Sequence, residues 1–347
     1  MGARVRRAVP SLPRALSRPA TTGAAIRLGI LSTANINGKI IPGAQESSDV
    51  ELVAVASRND AKAAAYAHEW GIPAAHGSYE ALLANPDVDA VYISLPNSLH
   101  VEWSIRALDA GKHVLCEKPL DRSPDEVARA FDAAERNDRI LMEAFMYRHH
   151  PQTIRWKQLV DEGAIGELRL IRTSFSFPLD DPENVRASTE LDGGGLMDVG
   201  CYCVSGSRHL AGEPTRISAH QVIGDGGVDV RLVGTMEFAN DVLATFDCGL
   251  DLPDRGGPLE VYGSEGTLRV PSPWHCVEPH IELERGRGTE IIELPDEDKY
   301  RLQLENFARA IRGEEEPLLG RADALGQART IEALYRSADS GGNPVEL

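Results

Sequence analysis

The stretch Leu28–Gly38, LGILSTANING, joins a short apolar run to a turn of small residues. Whether that turn can bind phosphate decides the fold of the first half of the chain. A dinucleotide fold asks for G-x-G-x-x-G at such a strand-to-helix junction. The three glycine slots hold Ser32, Ala34 and Asn37. The physical need is for small side chains, so that main-chain N–H groups can approach a pyrophosphate. Ser32 and Ala34 meet it, and the hydroxyls of Ser32 and Thr33 can add donors. Asn37 stands where close helix–strand packing favours glycine and is expected to pack less comfortably. On its own the turn leaves a plain strand-to-helix loop open beside a nucleotide site.

Outward from this turn, short apolar strands alternate with amphipathic helices. The runs ELVAVAS (51–57), DAVYISL (89–95), KHVLCE and RILMEAF read as strands, and DAVYISL is apolar enough to be buried on both faces. Between them lie helices with end signals: Gly71 closes DAKAAAYAHEW, Ser78 opens YEALLA, and Ser123-Pro124-Asp125-Glu126 is a capping box with proline in the first turn. Asn97 can cap the helix before Gly111. Such β-α alternation with short connections predicts a doubly wound parallel sheet, a Rossmann-type α/β domain over residues 26–146. After Tyr147 the texture changes to period-two strands, with GSEG placed as a hairpin turn between LEVY and TLRV, and two amphipathic helices near the end. Residues 147–347 are therefore expected to form an α+β domain with an open, mostly antiparallel sheet.

The 347 residues carry a formal net charge of −17. That argues against nucleic-acid binding, which needs a basic face. No apolar run is long enough to span a membrane. The five cysteines, with no C-x-x-C pair, argue against a zinc site or disulfide framework and for a reducing, cytoplasmic setting; no metal is expected. Residues 1–25 hold five arginines and no acid, interrupted by prolines. They read as a disordered tail, with organelle targeting or export left open.

Four strand ends and turns could carry chemistry. The second strand ends Ser57-Arg58, where an acid would select NAD and an arginine accommodates a 2′-phosphate. An exposed, unpartnered arginine is the plainer alternative. The strand VYISL runs into Leu95-Pro96-Asn97-Ser98-Leu99-His100; Asn97 is equally a helix cap and His100 a helix-surface residue. Glu117-Lys118-Pro119 follows another strand end, where the lysine needs a partner and Glu117 can supply one. In the run Asp192 to Tyr202, DGGGLMDVGCY, Asp198 and Tyr202 would share one face of a regular helix. A tyrosine beside a lysine ammonium should have a lowered pKa, making a usable proton donor and acceptor.

Taken together, AGKHVLCEKPL, LPNSLH, MEAFMYRHHPQ and GGGLMDVGCY resemble the glucose–fructose oxidoreductase, inositol dehydrogenase and rhizopine-catabolism (Gfo/Idh/MocA) family. Tyrosine at position 202, where many members carry histidine, is similar to the branch with dimeric dihydrodiol dehydrogenase, NADP-dependent xylose dehydrogenase and keto-sugar-nucleotide reductases. The resemblance implies NADP in preference to NAD. It implies Lys118 and Tyr202 as catalytic groups, with Asp198 orienting substrate or tyrosine. Ser32, Thr33, Ala34, Asn35 and Ile36 would hold the pyrophosphate, and Ser57 and Arg58 the 2′-phosphate. Leu95, Pro96, Asn97, His100 and Glu117 would line the nicotinamide pocket. Arg148 and Arg186 would join Lys118, Asp198 and Tyr202 against a sugar or polyol substrate. The open sheet would form a homodimer or homotetramer face, with Cys248 and its strand in it. Two rival functions stay open: a sugar–sugar oxidoreductase that keeps its NADP bound or a keto-sugar-nucleotide reductase, and a non-catalytic NADP sensor.

Overall fold

Alternation in the first half produces six parallel strands separated by helices. The computed structural model describes residues 23–253 and 257–347, so nearly all of the arginine-rich tail lies outside the described residues. The elements run β1 (Ile26–Leu31), α1 (Asn37–Glu46), β2 (Val50–Ala56), α2 (Asp60–Trp70), β3 (Ala74–His76), α3 (Tyr79–Leu83), β4 (Ala90–Ile93), α4 (His100–Asp109), β5 (His113–Cys116), α5 (Pro124–Asn137) and β6 (Leu141–Glu143). The strand order is β3-β2-β1-β4-β5-β6, all parallel, which puts the topological switch between β1 and β4. Ligands of such sheets bind outside the carboxyl ends of the strands at that switch. Every residue of β4 is buried, as its apolar run predicts.

Helix ends follow the capping chemistry. The side chains of Asn59, Ser78 and Ser123 accept from Lys62, Ala81 and Glu126 main-chain N–H groups, and Gly71 closes α2 at φ 66°. Asn97 departs from its expected role. A 3-10 turn over Asn97–Leu99 precedes α4, and the helix starts at His100 with no side-chain cap.

The second half continues with α6 (Pro151–Asp161), β7 (Leu168–Ser176), a π-helical turn (Leu196–Gly200), α7 (Cys201–Ala211), β8 (Pro214–Ile223), β9 (Asp229–Phe238), β10 (Leu243–Gly249), β11 (Leu259–Gly263), β12 (Gly266–Val270), β13 (His280–Arg285), β14 (Gly288–Glu293), α8 (Lys299–Ile311), α9 (Arg321–Asp339) and β15 (Val345–Glu346). Its nine strands are ordered β14-β13-β12-β11-β7-β10-β9-β8-β15 and are antiparallel except for the β7–β10 pair. One face packs on α7 and α9; the other is open and shows Arg172, Val233 and Thr245. Cys248 points the opposite way from that expected: it is buried on the inner face, against Gly200. The five cysteines are free thiols, all buried. Helices α8 and α9 return to the first sheet's layer, packing on α1 and α5, with Arg312 paired to Asp49 at 2.7 Å. No helix among the described residues is long and apolar enough to cross a membrane.

Candidate active site

Both halves bring chemistry to the carboxyl edge of the parallel sheet. At the end of β1, Ser32 adopts φ 139°, a backbone region that favours glycine and costs other residues about 1–3 kcal/mol. Three buried side chains hold it there. Asn37 Nδ2 donates to the Ser32 carbonyl (3.0 Å), Ser94 Oγ donates to Asn37 Oδ1 (2.6 Å), and the Ser32 and Ser94 hydroxyls lie 2.7 Å apart. Asn37 is fully buried and fully engaged, so the expected poor packing gives way to a hydrogen-bonded strut. The Ser32 hydroxyl also turns inward, accepting from Ala34 N at 3.1 Å rather than facing solvent. Helix α1 begins at Asn37, and its N-cap residue, Ile36, provides no side-chain cap; Thr33 and Ala34 are half-buried and Asn35 exposed. The N–H groups of Asn37, Gly38 and Lys39 close on the carbonyls of Ala34, Asn35 and Ile36, so it is the N–H groups of Asn35 and Ile36, just before the helix, that can meet an anion. At the end of β2, Ser57 is buried and Arg58 exposed, and the first acid, Asp60, lies inside α2.

Lys118 follows β5 and is met by the π-helical turn from the second half. Its Nζ donates to the Asp198 carbonyl at 2.5 Å and lies 3.5 Å from Asp198 Oδ1. The widened turn, closed by a bond from Cys201 N to Leu196 O, presents Asp198 with carbonyl and carboxylate both toward the lysine. Arg186 Nε holds the other Asp198 oxygen at 2.6 Å. The turn is itself anchored: Asp229 accepts from Leu196 N at 2.7 Å and from the Tyr335 hydroxyl at 2.8 Å. Gly194 approaches that carboxylate so closely, at φ 121°, that a Cβ would sit 2.2 Å from Asp229 Oδ1. This accounts for a glycine in the run before Asp198.

The charges follow from these contacts. Burial works against the Lys118 ammonium, but the acidic groups around it, Cys201 and Asp198 foremost, outweigh that and raise its pKa. Burial works against the Asp198 carboxylate too, and Lys118 and Arg186 overcome it, so its pKa falls. Tyr202 behaves contrary to expectation. Lys118 Nζ lies 4.6 Å from the centroid of its ring, over the face, and the hydroxyl is 3.5 Å from Met146 Sδ. Phe145, Tyr147, Phe175 and Trp274 pack around that ring. Burial therefore dominates and pushes the Tyr202 phenol well up, keeping it protonated.

Other expected residues divide. Glu117 is brought in: Tyr92 donates to it at 2.5 Å, and burial raises its carboxyl, opposed by Lys118. Leu95 is buried and Pro96 half-buried beside the switch point. Asn97 instead ties the halves together, donating to the Asp192 carbonyl at 2.8 Å. His100 is buried, and both ring nitrogens face backbone carbonyls, Pro119 at 2.9 Å and Leu95 at 2.8 Å. It braces two loops and has no ring nitrogen left to offer a ligand. Arg148 is buried and directed to Asp323 at 3.4 Å, not to Lys118.

Several residues escape the sequence reading. Ser94, Tyr92 and Met146 sit in apolar runs that hide them. Glu143 accepts from Leu120 N at 2.8 Å, so it fixes the Lys118–Leu120 turn. Its other oxygen is buried without a partner among the described residues, and burial raises the carboxyl to about 8. Beside the cleft, a cavity of about 670 Å³ is lined by Ser98, Arg122, Thr189 and Asp192 among others. Among the described residues no cluster of three or more His, Cys, Asp or Glu is set to hold a metal ion.

Residues 26–145 match the family described as "Oxidoreductase family, NAD-binding Rossmann fold", and residues 153–269 match the "GFO/IDH/MocA C-terminal domain". The chain is 43% identical over 325 residues to D-xylose 1-dehydrogenase (NADP(+)) 2 of Haloferax volcanii, covering 92% of this chain and 99% of that one. A 3-ketoreductase from Actinomadura kijaniata, solved with NADP and TDP-benzene, is 32% identical with a TM-score of 0.85 and covers 90% of this chain and 98% of that one. An aldose-aldose oxidoreductase from Caulobacter crescentus, solved with glycerol, is 29% identical with a TM-score of 0.87, covering 93% and 100%.

Proposed function

Because the chain belongs to the Gfo/Idh/MocA oxidoreductase family, we propose that it is an NADP-dependent dehydrogenase or reductase acting on a hydroxyl- or carbonyl-bearing carbon of a sugar or related polyol. Aldose 1-dehydrogenation is the first assignment. The observation that carries the reading is the convergence of Lys118, Asp198 and the Tyr202 ring at the carboxyl edge of the parallel sheet.

The residues fit the cofactor. The uncapped start of α1 suits a pyrophosphate, and the exposed Arg58, with no acid at the end of β2, suits a 2′-phosphate. When bound, NADP supplies the hydride acceptor or donor. Lys118, held charged, stabilises negative charge developing on the reacting oxygen. Tyr202, held protonated, gives its phenolic proton to that oxygen during reduction and takes it back during oxidation. Asp198 fixes the ammonium, and Arg186 binds Asp198 and faces the substrate. Relatives lend support: solved variants of the Actinomadura ketoreductase replace a lysine and a tyrosine, separated along its chain as Lys118 and Tyr202 are here.

A keto-sugar-nucleotide reductase is the second reading, favoured by the protonated state of Tyr202, which suits a proton donor. The open face of the nine-stranded sheet is assigned to a homodimer or homotetramer contact, and the free, buried thiols suit the cytoplasm. The test is absorbance at the NADPH band, with aldoses, polyols and dihydrodiols against NADP and NAD, and keto-sugar nucleotides against NADPH. Oxidation of an aldose with NADP supports the first assignment. Turnover only of the keto-sugar nucleotide selects the second, and cofactor binding without turnover of any substrate defeats both. NADP absorbance surviving desalting would mark a cofactor held between turnovers.

A further inference from the structure

The turn after β1 lacks glycine at all three slots where the sequence pattern wants it, yet Ser32 adopts the φ of 139° that glycine would supply. A side chain in that region persists only where its surroundings over-determine it. Ser32, Ser94 and Asn37 are all buried, and their hydrogen bonds have one consistent direction. Asn37 Nδ2 meets a carbonyl, which can only accept, and this fixes the orientation of its amide. Asn37 Oδ1 can therefore only accept, so the Ser94 hydroxyl spends its proton there. Between the two hydroxyls Ser32 is then left as the donor, and both of its acceptors lie on Ser94, the hydroxyl at 2.7 Å and the main-chain carbonyl at 3.2 Å. The bonds close a ring that passes from the Ser32 hydroxyl through Ser94 and Asn37 to the Ser32 carbonyl. Ala34 N donates into it at the Ser32 hydroxyl, which ties the next turn residue to the same frame.

We propose that this ring is the positioning device of the cofactor site: a neutral substitute for the missing glycines that locks the turn so that the main-chain N–H groups of Asn35 and Ile36, which the turn's own bonds do not use, face the pyrophosphate of NADP. The assignment rests on that cofactor occupying the turn. The ring touches neither Lys118 nor Tyr202, so its loss should weaken cofactor binding and leave the chemical step alone. Glycine at position 32 reaches the same φ without a strut. The ring should therefore become dispensable once Ser32 is replaced.

The test measures NADPH affinity by fluorescence titration, kcat at saturating NADPH, and thermal melting for the full chain. Ser94→Ala and Asn37→Ala each strand a buried polar partner and should raise the NADPH Kd about tenfold or more. Their kcat should stay within about twofold of wild type, as for loss of uniform binding. Adding Ser32→Gly to Ser94→Ala should bring the Kd back to within about threefold of wild type, a rescue that a merely structural role would not give. If Ser94→Ala does not fold, Ser94→Cys keeps the size and a weaker donor and should show a smaller loss with the same rescue. Unchanged affinity in the folded single variants, or a loss that Ser32→Gly does not restore, overturns the ring. A wild-type chain that binds neither NADPH nor NADH would instead break the cofactor reading, and the ring's role with it.

Discussion

The phosphate turn and the Lys118 cluster face the same cleft but are held by opposite means. The turn is restrained by neutral groups from one half of the chain, Ser32, Ser94 and Asn37. The cluster is assembled across the two halves by charge, with Lys118 from one side and Asp198 and Arg186 from the other. A neutral ring is indifferent to pH and salt. A buried ionic cluster depends on every member, because removing one partner leaves an uncompensated charge. Cofactor grip and chemistry should thus be separable by mutation, and only the chemistry should depend strongly on pH.

The largest effect expected is on the cluster side. Tyr202→Phe removes one hydroxyl whose nearest polar contact is a sulfur; kcat should fall by about 10²–10⁴-fold with NADPH affinity unchanged. Turnover above a tenth of wild type would break the assignment. Next, Asp198→Asn removes a charge that helps keep Lys118 protonated against its burial. The alkaline limb of kcat/KM should move to lower pH by about one unit or more, read from a pH–rate profile. An unmoved limb would detach Asp198 from the lysine's charge.

Arg58→Asp probes the cofactor side alone. The ratio of kcat/KM for NADP over NAD should drop about tenfold or more, with no change in the pH profile. A constant ratio would remove Arg58 from the 2′-phosphate site. The smallest effect is on stability. Glu143 has its carboxyl raised from 4.5 to about 8 in the folded chain. Its contribution is complete below pH 4.5 and drains away as pH rises toward 8, because there the unfolded chain has released a proton that the folded chain keeps. Glu143→Gln cannot ionise and retains an acceptor for Leu120 N. Its Tm relative to wild type should therefore climb between pH 5 and pH 8 by a few degrees, equivalent to roughly 1–3 kcal/mol. A difference flat across that range would mean Glu143 is already ionised in the fold.

The sequence reading succeeds where information is local. Period and capping place five of the six parallel strands and most helix ends, and strand-end position singles out Lys118. Short or exposed strands such as β3, β14 and β15 have too little pattern to betray them. The role of Asn37 is hidden from the sequence because Ser94, its partner, lies 57 residues away. Arg148 reads as a substrate contact in the sequence because its actual partner, Asp323, lies 175 residues on. Lys118 by itself would acidify the Tyr202 phenol; the aromatic cage that reverses this comes from three separate segments, Phe145 with Tyr147, Phe175 and Trp274, and has no sequence signature. Asp198 and Tyr202 were aligned by counting four residues along a regular helix, and the helix is not regular there.

That irregularity makes the stretch from Leu196 to Gly200 a poor candidate for transplantation. An engineer who copies Asp198 and Tyr202 at their spacing onto an ordinary α-helix inherits the letters without the screw. In the donor fold the extra residue per turn resets the rotation between the acid and everything after it. Deleting one residue from this segment would leave every side chain of the site present and turn the carboxylate away from its lysine. A graft of this site must therefore carry the whole wide turn, together with Asp229 that clamps its first N–H group.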